Sequence, residues 1–130
     1  AMGQLGNSGG QKFWSWYGFE SRVEWCACFA SWCAEQSGMV ASGQVLKFSS
    51  CAVGASWFQG QGRWKGKGYT PSAGDFIFFD WNKDGQVDHV GIVVNVANGR
   101  VNTIEGNTSN MVARRSYQFG GIVIVGYGYI

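Results

Sequence analysis

Histidine occurs once in this 130-residue chain, at His89, and its four cysteines, Cys26, Cys28, Cys33 and Cys51, lack the paired spacing of a zinc site. One imidazole and unpaired thiols do not complete a Cys-His cluster, which argues against a structural zinc domain. Charge is also scarce, at 14% of residues with a net charge of +2, and no Lys/Arg cluster forms a stripe, so no nucleic-acid partner is expected. No apolar run reaches membrane-spanning length and no signal peptide is present, so the chain reads as a soluble piece without membrane insertion. Ala1-Met2-Gly3 reads as a cloning remnant, in which case an export signal could have been removed.

What the chain does have is glycine, 21 residues, and aromatic side chains, 16% of the total. Few charges with many Trp and Tyr suit a groove that lies against sugar or peptide, and suit core packing equally well. One domain is expected, with residues 1–11, rich in Gly, Ser and Asn, mobile or loosely packed and residues 12–130 forming the folded unit.

The chain is organised around residues 24–33, Glu-Trp-Cys-Ala-Cys-Phe-Ala-Ser-Trp-Cys. From Trp25 to Gln36 there is neither Gly nor Pro and almost no polar face, so a largely buried helix is expected, with Gly38 as its left-handed stop. Ser21 and Glu24 match a capping box that would start the helix at Arg22. A start at Glu24 or Trp25 would bring Cys26 nearer the exposed amides, which favour thiolate over thiol. Cys28 and Cys33 point to different helix faces and should not bridge each other, which leaves Cys51 with one of them as the pairing to consider.

Downstream, Ala52 to Gln59 reads as a second helix with Val53, Trp57 and Phe58 on one face, and Lys65, Lys67 and Gly68 as an exposed turn. The second half turns to short β-rich runs: 75–79 after a turn at Pro71 to Gly74, 89–96, 100–105, and 121–125 followed by Gly128-Tyr129. Asn98-Gly99 is a two-residue hairpin signal joining the middle two. Helices followed by an antiparallel meander make an α+β layout.

Two chemical signals stand out. A thiol nucleophile needs a base that titrates near neutral pH, and His89 is the residue here that does so unaided. Counting outward from the Asn98-Gly99 turn brings Glu105 and Asn107 to the same end as His89, where either can orient the imidazole. The second signal is Asp80-Trp81-Asn82-Lys83-Asp84-Gly85. It repeats the opening of a calcium loop, with Asp80, Asn82 and Asp84 as oxygen donors, but Gly91 stands where the bidentate glutamate belongs. A tight acidic turn is the stronger expectation there, with calcium as the alternative.

Taken jointly, Trp25-Cys26-Ala27 with Phe29, Ser31, Trp32 and Cys33; Pro71 and Gly74-Asp75 with Phe78 and Phe79; Asp88-His89-Val90-Gly91-Ile92-Val93; and Ile104-Glu105-Gly106-Asn107 resemble the CHAP family of cysteine- and histidine-dependent amidohydrolases and peptidases. The resemblance runs from about Trp14 to Tyr129. It implies a papain-like fold, with N-terminal helices packed on an antiparallel β-sheet, and a bacterial peptidoglycan hydrolase that needs no cofactor. It implies Cys26 as nucleophile, His89 as base and later acid, Glu105 as orienting group and Asn107 as a further polar member. The bond cut would be the N-acetylmuramoyl-L-alanine amide or one within the stem or cross-bridge peptide. Tyr17, Trp25 and Trp81 are the aromatic residues expected against the substrate. Papain-like enzymes place a glutamine some six residues before the cysteine to hold the oxyanion; here that place holds Glu20, which cannot donate, so a backbone amide or the Tyr17 hydroxyl is considered instead. A secreted, bacteriolytic, endolysin-like or autolysin-like monomer acting at the cell wall is the expectation, with a non-catalytic glycan- or peptide-binding module as the alternative.

Overall fold

The computed structural model describes residues 1–130 and has the α+β architecture. Three helices, α1 (Gln11–Tyr17), α2 (Cys26–Gln36) and α3 (Cys51–Gly60), precede the strands β1 (Trp64–Gly66), β2 (Phe76–Phe79), β3 (His89–Ala97), β4 (Arg100–Thr108), β5 (Met111–Gln118) and β6 (Ile124–Gly128). The strands form one antiparallel sheet in the order β1-β6-β2-β3-β4-β5.

Helix α2 is the centre of the molecule, with eight of its residues buried. It does not start at Arg22. Trp25 is its non-helical flank and no side chain caps it, because Glu24 turns away to Arg22 and Asn107 rather than back to Ser21. Cys26 is therefore the first helical residue. The helix ends as expected, with Gly38 at φ 77° and paired bonds from Gly38 N to Glu35 O (3.0 Å) and from Met39 N to Ala34 O (3.0 Å).

Helix α3 begins at Ser50, whose hydroxyl accepts from the Val53 amide at 3.3 Å. Its buried face is Cys51, Gly54, Ala55 and Phe58, a 3.6-residue repeat, so Val53, 53% exposed, is not on the face of Phe58 as expected. A side chain at position 54 would lie 2.6 Å from the Phe48 ring, and glycine there lets the helix settle on that ring.

Apolar clusters cover both faces of the sheet. On the helix side, Phe76, Phe78 and Val90 pack with Cys26, Ala27, Ala30, Phe48 and Phe58, while Ile92, Ile104 and Val112 pack with Phe13, Trp25, Cys28 and Phe29. On the far side Ile77, Phe79, Val93, Val101, Ile124 and Tyr127 form a third cluster.

Three expectations are corrected. Trp64–Gly66 is an edge strand paired with β6, so Lys65 belongs to the sheet rather than to a turn. Strand β6 starts at Ile124, because residues 121–123 form a turn closed by the Ile124 amide donating to Gly121 O at 3.1 Å. Within the first eleven residues, 6–9 are docked rather than loose: Gly6 N donates to Val112 O, Val112 N to Asn7 O and Gly9 N to Asn110 O, all within 2.8–2.9 Å, and Ser8 bridges Met111. They cover the outer edge of β5, which is otherwise a row of unpaired backbone groups.

Candidate active site

Cys26 opens α2 on the cleft side of the molecule. Its sulfur lies 3.4 Å from that of Cys51, the first residue of α3, so the starts of two helices meet at two sulfurs. The hydrogen bond from Cys51 pulls the Cys26 thiol well below its ordinary value; burial opposes it, and a hydrogen bond and charge from His89 with a bond from the Val90 amide reinforce it. The same contact with Cys26, together with burial, pushes the Cys51 thiol up. Burial pushes Cys28 and Cys33 up to about 11, so neither competes as a nucleophile. No cysteine is bridged, and Cys51 meets Cys26 rather than Cys28 or Cys33.

His89 is the first residue of β3. Its Nε2 is 2.7 Å from Glu105 Oε1, which leaves Nδ1 as the ring nitrogen available to the thiol. Burial would lower the imidazole, but hydrogen bonds to Cys26 and Glu105, with the charges of both, lift it to about 9. The two shifts run in the direction of a thiolate–imidazolium pair.

Glu105 is fully buried on β4, and every polar contact it makes is an acceptance: His89 on Oε1, and on Oε2 the hydroxyls of Thr103 at 2.5 Å and Tyr117 at 2.6 Å. A buried carboxylate needs such partners to remain charged. Its presence beside His89 depends on a register step. From the turn, Ala97 pairs with Arg100, Val96 with Val101 and Asn95 with Asn102; then Val94 is skipped and Val93 pairs with Thr103 and Ile92 with Ile104. Without the bulge, Ile92 would oppose Glu105 and turn the carboxylate to the helix side. With it, Glu105 lies over Gly91, where a Cβ would come within 2.6 Å of Glu105 Cγ. One residue further, Gly106 faces α2, where a Cβ would meet that of Phe29 at 2.5 Å.

Asn107 does not join the imidazole. It adopts φ 56° where the β4–β5 register breaks, accepts from Arg22 Nη2 at 2.9 Å and donates to the Glu24 carboxylate. It lines the cleft nonetheless: a hollow of about 340 Å³ bounded by Cys26, His89, Glu105, Asn107, Glu24, Asp88, Trp81, Thr108 and Ser109. Trp81, 42% exposed, stacks on Phe79 at 4.9 Å with its ring 5.9 Å from that of His89.

The other two expected aromatic contacts lie elsewhere. Trp25 is fully buried, stacked on Phe13 with its indole donating to Asn110 Oδ1, and is a core residue. Tyr17 stacks on Phe19 beneath the Lys47 ammonium, outside the cleft lining, so its hydroxyl is not placed to meet an oxyanion. Glu20 is exposed in the segment before α2. The first amides of α2 have no intrahelical acceptor and point out of the helix start at Cys26.

The acidic loop is built as a turn. Asp80 accepts from Asp84 N at 3.3 Å and Gly85 N at 2.8 Å, Asp84 from Gln86 N at 2.9 Å, and both oxygens of Asp88 from Trp81 N at 3.0 Å. No three His, Cys, Asp or Glu side chains converge as a ligand group in the chain. The loop fixes Trp81 and His89, closed by Asp88 N on Phe79 O at 2.9 Å.

Sequence reasoning missed Thr103, Tyr117 and Cys51 as neighbours of the site. Thr103 could have been found as the residue two before Glu105 on one strand face; Tyr117 lies on a strand not anticipated.

A comparison with curated protein sequences gives no match. Among solved structures, the fold resembles Ly7917 with the hydrolysing product of MDP, at TM-score 0.53 and 22% identity over 78% of this chain. It likewise resembles a second structure of Ly7917, at TM-score 0.53 and 21% identity over 80%. The chain spans about half of those proteins, 52% in each case. The CHAP domain family model matches residues 16–107, from the last two residues of α1 to the penultimate residue of β4. With that match over most of its length, and the thiol, imidazole and carboxylate gathered where the matched segment folds together, the chain belongs to the CHAP domain family.

Proposed function

We propose that this domain hydrolyses an amide bond of bacterial peptidoglycan through an acyl-enzyme on Cys26. The observation that carries the reading is the convergence of Cys26, His89 and Glu105, from three separate chain segments, at one open cleft.

The Cys26 thiolate attacks the amide carbon, and the developing oxyanion is met by the free amides at the start of α2, where the helix dipole also favours negative charge. The His89 imidazolium gives its proton to the leaving amine. Neutral His89 then takes a proton from water, which attacks the thioester and releases the acid. Glu105 holds the ring throughout and balances its charge. No metal or cofactor enters these steps. Trp81 offers an apolar face beside the reacting atoms, and Asn107, Glu24 and Asp88 offer polar groups for peptide amides and amines. The amide cut is N-acetylmuramoyl-L-alanine or a bond of the stem or cross-bridge peptide, and the site of action is the wall, outside the cytoplasm, with the domain working as a monomer.

Cys26→Ala should abolish turbidity clearance of purified walls, whereas Cys28→Ser and Cys33→Ser should retain it once folded protein is selected. Clearance by a folded Cys26→Ala protein would remove the mechanism, and mass spectrometry of fragments released by wild type identifies the bond. Wall retention without release of amino groups would instead mark a binding module. For the acidic loop, calcium titrated into the protein should give neither heat nor a change in melting temperature, because its carboxylates already serve backbone amides.

A further inference from the structure

We propose that Cys51 is a resolving thiol for Cys26, so that the cleft contains a site of reversible oxidative modification at which a hydroperoxide converts the two cysteines into an intramolecular disulfide. The sulfurs are 3.4 Å apart and would have to close by about 1.4 Å to reach bonding distance.

That approach is built into the fold. Ser31, five residues beyond Cys26 in α2 and fully buried, donates its hydroxyl to Phe48 O at 2.6 Å and accepts from Phe48 N at 2.9 Å. Phe48 is in turn wedged against Gly54 of α3. The strap between the two helices is thereby fixed three residues before Cys51, and Ser50 caps the helix that Cys51 begins. Hydrolysis as described gives Cys51 no covalent part, yet a thiol is held there against the nucleophile.

The chemistry balances. The Cys26 thiolate attacks the O–O bond of hydrogen peroxide; with one proton from solvent, water leaves and sulfur, having lost two electrons, becomes a sulfenic acid. The Cys51 sulfur then attacks the Cys26 sulfur, the S–O bond breaks, and the departing hydroxide takes the Cys51 proton as a second water. Two thiols and one peroxide give one disulfide and two waters. Cys26 lines the cleft, so a molecule as small as peroxide reaches it. Cys28 and Cys33 sit in the separate cluster around Phe13 and Phe29 and do not share the contact. Without a neighbouring thiol, a sulfenic acid proceeds to sulfinic and sulfonic acids that thiols do not reverse. The disulfide would hold the nucleophile out of use but recoverable.

The oxidation rests on the sulfur pair alone, and only its effect on turnover rests on the hydrolase reading. The test treats folded wild type, Cys51→Ser and Cys51→Ala with hydrogen peroxide, then with dithiothreitol, and reads intact mass, peptide maps and wall clearance. Wild type should lose the mass of two hydrogen atoms, show a linked Cys26–Cys51 peptide and regain its clearance on reduction. The Cys51 variants should gain two or three oxygen atoms at Cys26 and regain roughly a tenth or less of whatever activity they began with. Wild type that gains oxygens as the variants do, or that links Cys26 to Cys28 or Cys33, overturns the proposal. If both Cys51 variants fail to fold, the wild-type map decides alone. A mapped disulfide in a protein that never clears walls would uphold the pairing while defeating the hydrolase reading.

Discussion

Replacing Glu105 with glutamine changes one atom of the site and reverses its hydrogen-bond polarity. The carboxylate accepts three bonds and donates none. Thr103 and Tyr117 both converge on Oε2, so the single oxygen of a glutamine is drawn to that pair of hydroxyls, and the amide NH2 is left facing His89 Nε2. Two donors cannot share that contact. The ring answers by losing its Nε2 proton and keeping the one on Nδ1, the nitrogen that should be free to exchange a proton with the thiol and the leaving amine. The loss is that of a working general acid and base, on the order of 10² to 10⁴ in kcat, equivalent to about 2.7 to 5.4 kcal/mol of barrier. Loss of the carboxylate's bond and charge should also bring the His89 pKa down from about 9, so the alkaline limb of the pH–rate profile should move towards neutrality. Because the chain has one histidine, the imidazole can be followed by NMR with no assignment step. A folded Glu105→Gln protein within tenfold of wild type, with its imidazole still titrating near 9, would refute the assignment.

Gly91→Ala tests the same contact from the opposite strand. Its methyl would come within 2.6 Å of Glu105 Cγ and 3.3 Å of Cδ, against a side chain held by three bonds, so it should cost about 1–3 kcal/mol in denaturant unfolding. It should also cost up to roughly 10² in rate, by moving the carboxylate on the order of 1 Å; an unchanged rate in a folded variant would argue against the Glu105 role. The pH dependence of stability should carry the signature of the ion pair. The lifted His89 contributes stability that is present below about 6.5 and lost as pH rises to about 9, while the depressed Cys26 contributes stability that is present above its ordinary value and lost as pH falls. The opposite slopes cancel between about 6.5 and 8.5. From these two groups urea unfolding should therefore show a plateau there, a fall of up to about 1.4 kcal/mol per pH unit on the acid side, and a fall towards pH 9 on the alkaline side. Replacing Cys26 by Ala should remove the acid-side fall and shrink the alkaline one, because the thiolate behind the first also lifts His89.

Much of the site could be anticipated from local chemistry. The Gly-free apolar run after Trp25 announced α2, Gly38 its end, and Asn98-Gly99, at φ 55° and 73°, the hairpin that carries His89 and Glu105. Counting from the turn reached Glu105 without the means to place it, because no residue preference marks Val94 as the one to be skipped; the bulge is set by packing on both sheet faces. Asn107 failed for a related reason, since the register breaks again after Glu105 and carries its side chain to Arg22 and Glu24. Strand β5 was missed because it is an edge with only Val112 buried and Arg114 and Arg115 where an alternating apolar pattern would need core residues. Trp25 looked like a groove residue by type, and only the depth of its pocket, closed by Gly10 at a distance no Cβ would allow, shows it to be core.

These particulars explain how a small domain holds a charged site against a mostly apolar interior. The nucleophile belongs to the helix-side clusters, whereas Glu105 and its hydroxyl partners occupy the opposite sheet face; His89, at the first residue of β3, stands where the sheet ends and can address both. The two sides are locked to each other at adjacent residues of β4, Glu105 seated over Gly91 and Gly106 seated under Phe29 of α2. A shift of α2 along the sheet would therefore have to drag β4, and with it the carboxylate. Thiol and base are thus kept in step by two glycines lacking chemistry of their own, and substitutions at 91 and 106 should be felt at the active site before they are felt as loss of fold.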